Sequence, residues 1–120
     1  MPKLLIVDDE PANIELLARR LTRRGFEVVS ATSADEGIAR AVSEKPDVVL
    51  MDIKMPVVDG FEATRRLKAK AETRAIPVIA LTAHAMQEDR DQVIAAGADE
   101  YETKPVDLDR LLAKIQGLVG

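Results

Sequence analysis

A chain of 120 residues has room for one domain around one hydrophobic core. With 47% hydrophobic and 32% charged residues it has the composition of a soluble globular protein, and with no cysteine it excludes a disulfide framework and thiolate chemistry. The net charge of −4 argues against a nucleic-acid binder, and no apolar run approaches the length of a membrane span. Met1-Pro2-Lys3 runs straight into a strand-like segment, with no room for a signal peptide, so the expected location is the cytoplasm.

Leu4-Leu5-Ile6-Val7 reads as a buried strand that ends in an acidic cluster, Asp8-Asp9-Glu10. Pro11 suits the first turn of a helix, Ile14, Leu17, Ala18 and Leu21 recur at helical spacing, and Gly25 reads as the C-terminal cap. Phe26 to Ala31 is a shorter, more mixed strand, as suits a sheet edge. Ser33-Ala34-Asp35-Glu36 has capping-box spacing and opens a helix with Ile38, Ala41 and Val42 inward, ended by Lys45-Pro46.

In the strand Asp47 to Asp52 the run Val48-Val49-Leu50-Met51 is apolar on both faces and ends in Asp52, so it belongs inside a sheet covered on both sides. Pro56 and Gly60 read as loop punctuation after it. Phe61 to about Lys70 is a helix with Phe61, Ala63 and Leu67 inward. Ile76 to Leu81 is a strand, with Pro77 tolerable only near its start, and Thr82-Ala83-His84 follows. The next helix, about Met86 to Ala96, is polar apart from Met86, Val93, Ile94 and its alanines, and is expected to be the most lightly anchored. Asp99 to Thr103 is a weak strand running into Lys104-Pro105. Asp107 caps a last helix with the stripe Leu108, Leu111, Leu112, Ile115 and Leu118. Two basic clusters, Arg19-Arg20 with Arg23-Arg24 and Arg65-Arg66 with Lys68 and Lys70, read as solvated helix ends that complement the helix dipole.

Repeated β-α units imply a parallel sheet with helices on both faces, and right-handed crossovers leave few topologies. The expected fold is α/β: a flavodoxin-like (βα)5 doubly wound sheet in the order 2-1-3-4-5. In that order the strands ending in Asp8-Asp9, Asp52, Thr82 and Lys104 are neighbours. Their C-terminal ends share one rim, with the switch point between strands one and three, where ligands bind in open α/β sheets. Three carboxylates gathered there repel one another unless a cation joins them. Oxygen ligands call for a hard cation, and Mg²⁺ keeps positions for water and phosphate oxygens beside one or two carboxylates. With the metal and Lys104 to neutralise charge, Asp52 is the expected nucleophile toward a phosphoryl group.

Over its whole length the chain resembles the receiver domain of two-component response regulators. The residues that carry the resemblance are Asp8-Asp9, Asp52 within Met51-Asp52-Ile53-Lys54-Met55-Pro56, Asp59-Gly60, Thr82-Ala83, Tyr101 and Lys104-Pro105. It implies that a sensor histidine kinase or a histidine phosphotransfer protein presents phosphohistidine, and that Asp52 takes the phosphoryl group. It implies Mg²⁺, or Mn²⁺ in its place, on Asp9, Asp52 and the backbone carbonyl of Lys54, with Asp8 acting mainly through water. Lys104 and the Ala83 N–H would meet phosphoryl oxygens, and the Thr82 hydroxyl would swing toward them. Tyr101 would then turn inward and remodel the face of helix four, strand five and helix five, where a downstream protein docks. The Lys104–Pro105 bond would be cis. Positions two beyond Asp52 and Thr82, here Lys54 and His84, would tune loss of the phosphoryl group. Neither is a carboxylate or carboxamide, which could accept a hydrogen bond from an attacking water, so a slowly decaying aspartyl phosphate is expected.

Residues 1–120 are expected to be one receiver domain with no output domain, whether stand-alone or cut from a hybrid histidine kinase. Partners are expected to be proteins, with no nucleic acid and no membrane. The chain is expected to be a monomer, with dimerisation on phosphorylation left open. It is not expected to be a turnover enzyme beyond catalysing its own phosphorylation and dephosphorylation. A dehalogenase-like phosphatase would need a second aspartate where Lys54 stands. A flavin carrier would need a hydroxyl- or glycine-rich phosphate loop where Asp8-Asp9-Glu10 stands. A degenerate scaffold would lack part of the acidic and basic set, all of which is present.

Overall fold

The computed structural model describes residues 2–55, 57–83 and 87–119. Strands and helices alternate from the start: β1 (Lys3–Val7), α1 (Pro11–Arg23), β2 (Glu27–Ala31), α2 (Ala34–Glu44), β3 (Val48–Asp52), α3 (Gly60–Ala69), β4 (Val78–Thr82), α4 (Gln87–Ala95), β5 (Glu100–Thr103) and α5 (Leu108–Val119). The strands form one parallel sheet in the order β2-β1-β3-β4-β5, the expected flavodoxin-like arrangement.

The apolar runs of β1, β3 and β4 have no polar face because the sheet is covered twice. Leu4, Ile6, Leu50, Ile79 and Leu81 pack on one side with Leu17 and Leu21 of α1 and Leu111 and Ile115 of α5. Leu5, Val7, Val49 and Met51 pack on the other with Ala41 of α2 and Ala63 and Leu67 of α3. Period-two alternation divides each strand between the two layers, so a one-residue slip would exchange them. Among the described residues, the α4 corner holds Ile53, Ala80, Val93 and Ala98, with Phe61 and Tyr101 beside them, and Ile94 is half exposed. Met86, one of the apolar residues expected to anchor this helix, lies outside the described residues.

Helix ends follow the sequence cues with small shifts. Ser33 accepts from the Glu36 N–H at 3.2 Å, and Glu36 reaches back to the Thr32 N–H at 2.9 Å, one residue beyond the usual capping box. Gly25 follows α1 with φ +92°, a conformation open to glycine. α2 stops at Glu44, with Lys45 in the left-handed region and Pro46 following. The fourth strand begins at Val78 and includes Thr82 as its last residue, not Ile76 to Leu81. Lys68 is also not the solvated cation expected: its ammonium donates to the Ile76 carbonyl and to Asp99, both at 2.8 Å.

Gly60 is the clearest departure from the sequence reading. It is the first residue of α3, not loop, with Asp59 capping the helix by accepting from the Glu62 N–H at 2.9 Å. A Cβ at Gly60 would lie 2.3 Å from the Asp52 carbonyl oxygen and 2.6 Å from the Ile53 Cα. The helix start therefore rests directly on the end of β3, and the Gly60 N–H donates to the Ile53 carbonyl at 2.9 Å. Gly60→Ala is predicted to destabilise the protein by about 1–3 kcal/mol, the usual cost of overpacking, in urea unfolding. Gly117→Ala, on α5 with nothing within 4 Å of its added carbon, is predicted to stabilise by about 0.5–1 kcal/mol in the same assay.

Candidate functional site

Four neighbouring strands deliver their C-terminal ends to one rim. Hydrogen bonds continue past the strands and hold the tips level: Asp8 N–H to Ala31 O at 3.1 Å, Ile53 N–H to Leu81 O at 3.1 Å, and Lys104 N–H to Thr82 O at 2.7 Å. Asp8 and Asp52 are buried there, 4% and 5% exposed, and Asp9 sits half-buried beside them. One carboxylate oxygen from each of Asp8, Asp9 and Asp52 lies within 4.8 Å of the others. The Glu10 N–H donates to Asp8 Oδ1 at 2.9 Å and the Lys54 N–H to Asp52 Oδ1 at 3.2 Å, so the next turn of backbone aims each buried carboxylate.

Lys104 closes the cluster from β5. Its ammonium lies 3.2 Å from Asp52 Oδ1 and 3.5 Å from Asp8 Oδ2. Burial pushes the Asp52 carboxyl above the ordinary carboxylate range and the charge of Asp8 adds to this, while Lys104 and the Lys54 N–H offset only part. Burial alone would lower Lys104, but the attraction of Asp52 and Asp8 outweighs it and leaves the ammonium firmly charged. Three carboxylates and one ammonium leave a deficit of positive charge at the rim. The donors are all oxygens, two of them are nearly dry, and they converge, so the set fits a hard divalent cation.

Thr82, the last residue of β4, and Ala83 lie on the same rim. Thr82 is 5% exposed and, on β4, stands one residue beyond Leu81, the register partner of Asp52. Ala83 follows it, exposed. Tyr101 is half-buried on β5 opposite Ala80. Lys54 is exposed, and the Lys104–Pro105 peptide is cis as the resemblance implied. Pro56 of the Met55-Pro56 pair and His84 lie outside the described residues. A groove of about 640 Å³ lies between the cluster and α1, lined by Ile6, Leu17, Leu81 and Val106 and by the polar Asp8, Asn13, Arg20 and Lys104. The sequence reading placed no positioning role on Gly60. The Asp-Gly pair was the available signal, but only the close approach to Asp52 shows what it does.

Comparison with known proteins matches this chain to the family described as response regulator receiver domain, over residues 4–116. The chain belongs to that family. It is 45% identical to the protein PilH of Pseudomonas aeruginosa over all of this chain and 99% of that protein. It is 36% identical to the polar-differentiation response regulator DivK of Brucella anthropi over all of this chain and 98% of that one. Other relatives are longer: the chain spans 49% of RpaA of Synechocystis, described as a DNA-binding transcriptional regulator, at 40% identity. Among solved structures, the chemotaxis protein CheY4 of Vibrio cholerae superposes with a TM-score of 0.91 at 30% identity, covering 98% of both chains. The receiver domain of the P. aeruginosa sensor histidine kinase PA1611, described with magnesium coordinated in its active-site cleft, gives 0.91 at 34% identity over 99% of this chain and 98% of that one.

The raised Asp52 pKa makes a prediction about this receiver domain. Asp52 ionises less readily folded than unfolded, so below the ordinary carboxylate range the group carries no penalty. Stability is then lost as pH rises through the folded value. The attraction to Lys104 is already included in that net direction. Asp52→Asn is therefore predicted to melt higher than wild type at pH 7 in a chelator, with the two melting temperatures converging as pH falls below the carboxylate range. Thermal denaturation across that pH series checks it.

Proposed function

We propose that this receiver domain takes a phosphoryl group from a phosphohistidine onto Asp52 and signals by the change of shape that follows. The donor is a sensor histidine kinase or a histidine phosphotransfer protein. The observation that carries the reading is the gathering of the Asp8, Asp9 and Asp52 carboxylates within 4.8 Å beside the Lys104 ammonium.

Asp52 acts as the nucleophile. Its carboxylate oxygen forms the new O–P bond as the N–P bond to the donor imidazole breaks, and the imidazole leaves with the electron pair. Burial leaves Asp52 poorly solvated, so little water must be stripped from it before attack. Asp8, Asp9, Asp52 and the Lys54 backbone carbonyl would hold Mg²⁺ or Mn²⁺, which when bound neutralises charge on the phosphoryl oxygens. Lys104, paired with Asp52 at rest, passes to a phosphoryl oxygen, and the Ala83 N–H meets another. The Thr82 hydroxyl closes on a third. The groove along α1 opens beside Asp8 and Lys104, which supports an approach by the donor from that side.

Signalling follows from Thr82 and Tyr101. As Thr82 moves toward the phosphoryl group, Tyr101 turns inward and the face of α4, β5 and α5 is remodelled for a downstream protein. The chain works in the cytoplasm as a monomer that engages proteins, without nucleic acid or membrane. It catalyses its own phosphorylation and loss of phosphoryl. Lys54 and His84, two positions beyond Asp52 and Thr82 in sequence, offer no carboxylate or carboxamide to orient water, so the aspartyl phosphate is long-lived.

Incubation with acetyl phosphate and Mg²⁺ tests the reading by intact mass. Wild type is predicted to gain one phosphoryl group and Asp52→Asn none. An equal gain by the variant would mean that another residue is the acceptor. After removal of the donor, the adduct is predicted to outlast the seconds scale in Mg²⁺ buffer, and decay within seconds would contradict the roles given to Lys54 and His84.

A further inference from the structure

β5 carries a second buried carboxylate, apart from the cluster on the rim. Glu102 is 2% exposed and points toward α5. Its oxygens accept from the Arg110 Nε at 3.1 and 3.0 Å and from the Thr103 N–H at 2.9 Å, and the Lys114 ammonium lies 3.6 Å away. Arg110 and Lys114 stand one turn apart on α5. Arg110 makes the closer contact, to both carboxylate oxygens, and Lys114 the longer ion pair.

Lys114 has other contacts that explain its place. Its ammonium donates to the backbone carbonyl of Tyr101, pairs with Glu100 at 3.8 Å, and lies 4.9 Å from the centre of the Tyr101 ring. From the other side of the strand, Arg90 of α4 brings its guanidinium to 4.8 Å from the same centre. Tyr101 is thus tied to both neighbouring helices by cations, and the α5 cation is tied in turn to Glu102. A buried ion pair is weak evidence for stability.

We propose that Glu102 is a positioning residue for the switch: it fixes Lys114 against Tyr101, and Lys114 with Arg90 holds the ring in its half-buried position against the inward turn. This rests on the phosphoacceptor reading above. Whatever favours the resting ring position opposes the phosphorylated arrangement by the same amount, and so weakens a phosphoryl analogue at Asp52. A cation–π contact at a partly exposed site corresponds to about a two- to fivefold change in that equilibrium.

The test uses ¹³C-tyrosine labelling, which reports Tyr101 alone because the chain has one Tyr. Beryllofluoride with Mg²⁺ serves as the phosphoryl analogue. Lys114→Met and Glu102→Gln are expected to move the resting Tyr101 signals in the same direction. Each is expected to lower the beryllofluoride concentration for half-saturation about two- to fivefold, and the double variant to add nothing to the larger single effect. Lys114→Arg, which restores the cation, is expected to return both readouts to wild type. Variants that change only the melting temperature, leaving the Tyr101 signals and half-saturation unmoved, overturn the inference. Should Glu102→Gln not fold, Glu102→Asp, which draws the carboxylate back from Lys114, is measured in its place, and unmoved Tyr101 signals and half-saturation there overturn the inference. If the variants move the resting signals but beryllofluoride moves Tyr101 in no form, wild type included, the phosphoacceptor reading has failed and the switch role of Glu102 falls with it.

Discussion

Like charges do not gather in a dry place unless something holds them there. Asp8 and Asp52 are both nearly excluded from water and Asp9 adjoins them, with the single ammonium of Lys104 among the three. Burial and the neighbouring Asp8 charge hold the Asp52 carboxyl above its ordinary range despite that ammonium. The arrangement costs stability, and the rest of the chain supplies the rigidity that maintains it. A cation that neutralises the cluster relieves the cost.

The sheet is what imposes the arrangement. Parallel register brings Asp8, Asp52, Thr82 and Lys104 to one rim although they are far apart in sequence, and two apolar layers prevent the strands from slipping. Gly60 adds a local constraint by letting the first turn of α3 rest against the Asp52 carbonyl. From the rim, β5 runs back through Thr103, Glu102 and Tyr101, so a displacement of Lys104 or Thr82 has a short covalent and hydrogen-bonded path to the face of α4 and α5.

Much of this was legible in the residues. The apolar runs, the capping serine at Ser33, the stripe of α5 and the carboxylate ending β3 all follow from local chemistry, and alternation of strand and helix set the sheet order. The site was legible because strand ends converge in such a sheet, so four strand-terminal residues predict one pocket. What escaped depends on contacts between elements distant in sequence. Gly60 reads as a loop residue until the Asp52 carbonyl is seen beside the place of its missing side chain. Glu102 reads as a polar residue on a weak edge strand until Arg110 of α5 is seen covering it. Lys68 reads as a solvated cation until the Ile76 carbonyl and Asp99 are found around its ammonium.

The account turns on whether the three carboxylates act together as a cation site. A calorimetric titration of the wild-type chain with Mg²⁺ measures this without any phosphoryl donor. The predicted result is one ion per chain, with binding abolished in Asp9→Asn and in Asp52→Asn and retained in Asp109→Asn, whose side chain is 90% exposed and remote from the rim. Saturable binding of equal strength in all four proteins, or none in the wild type, would contradict it.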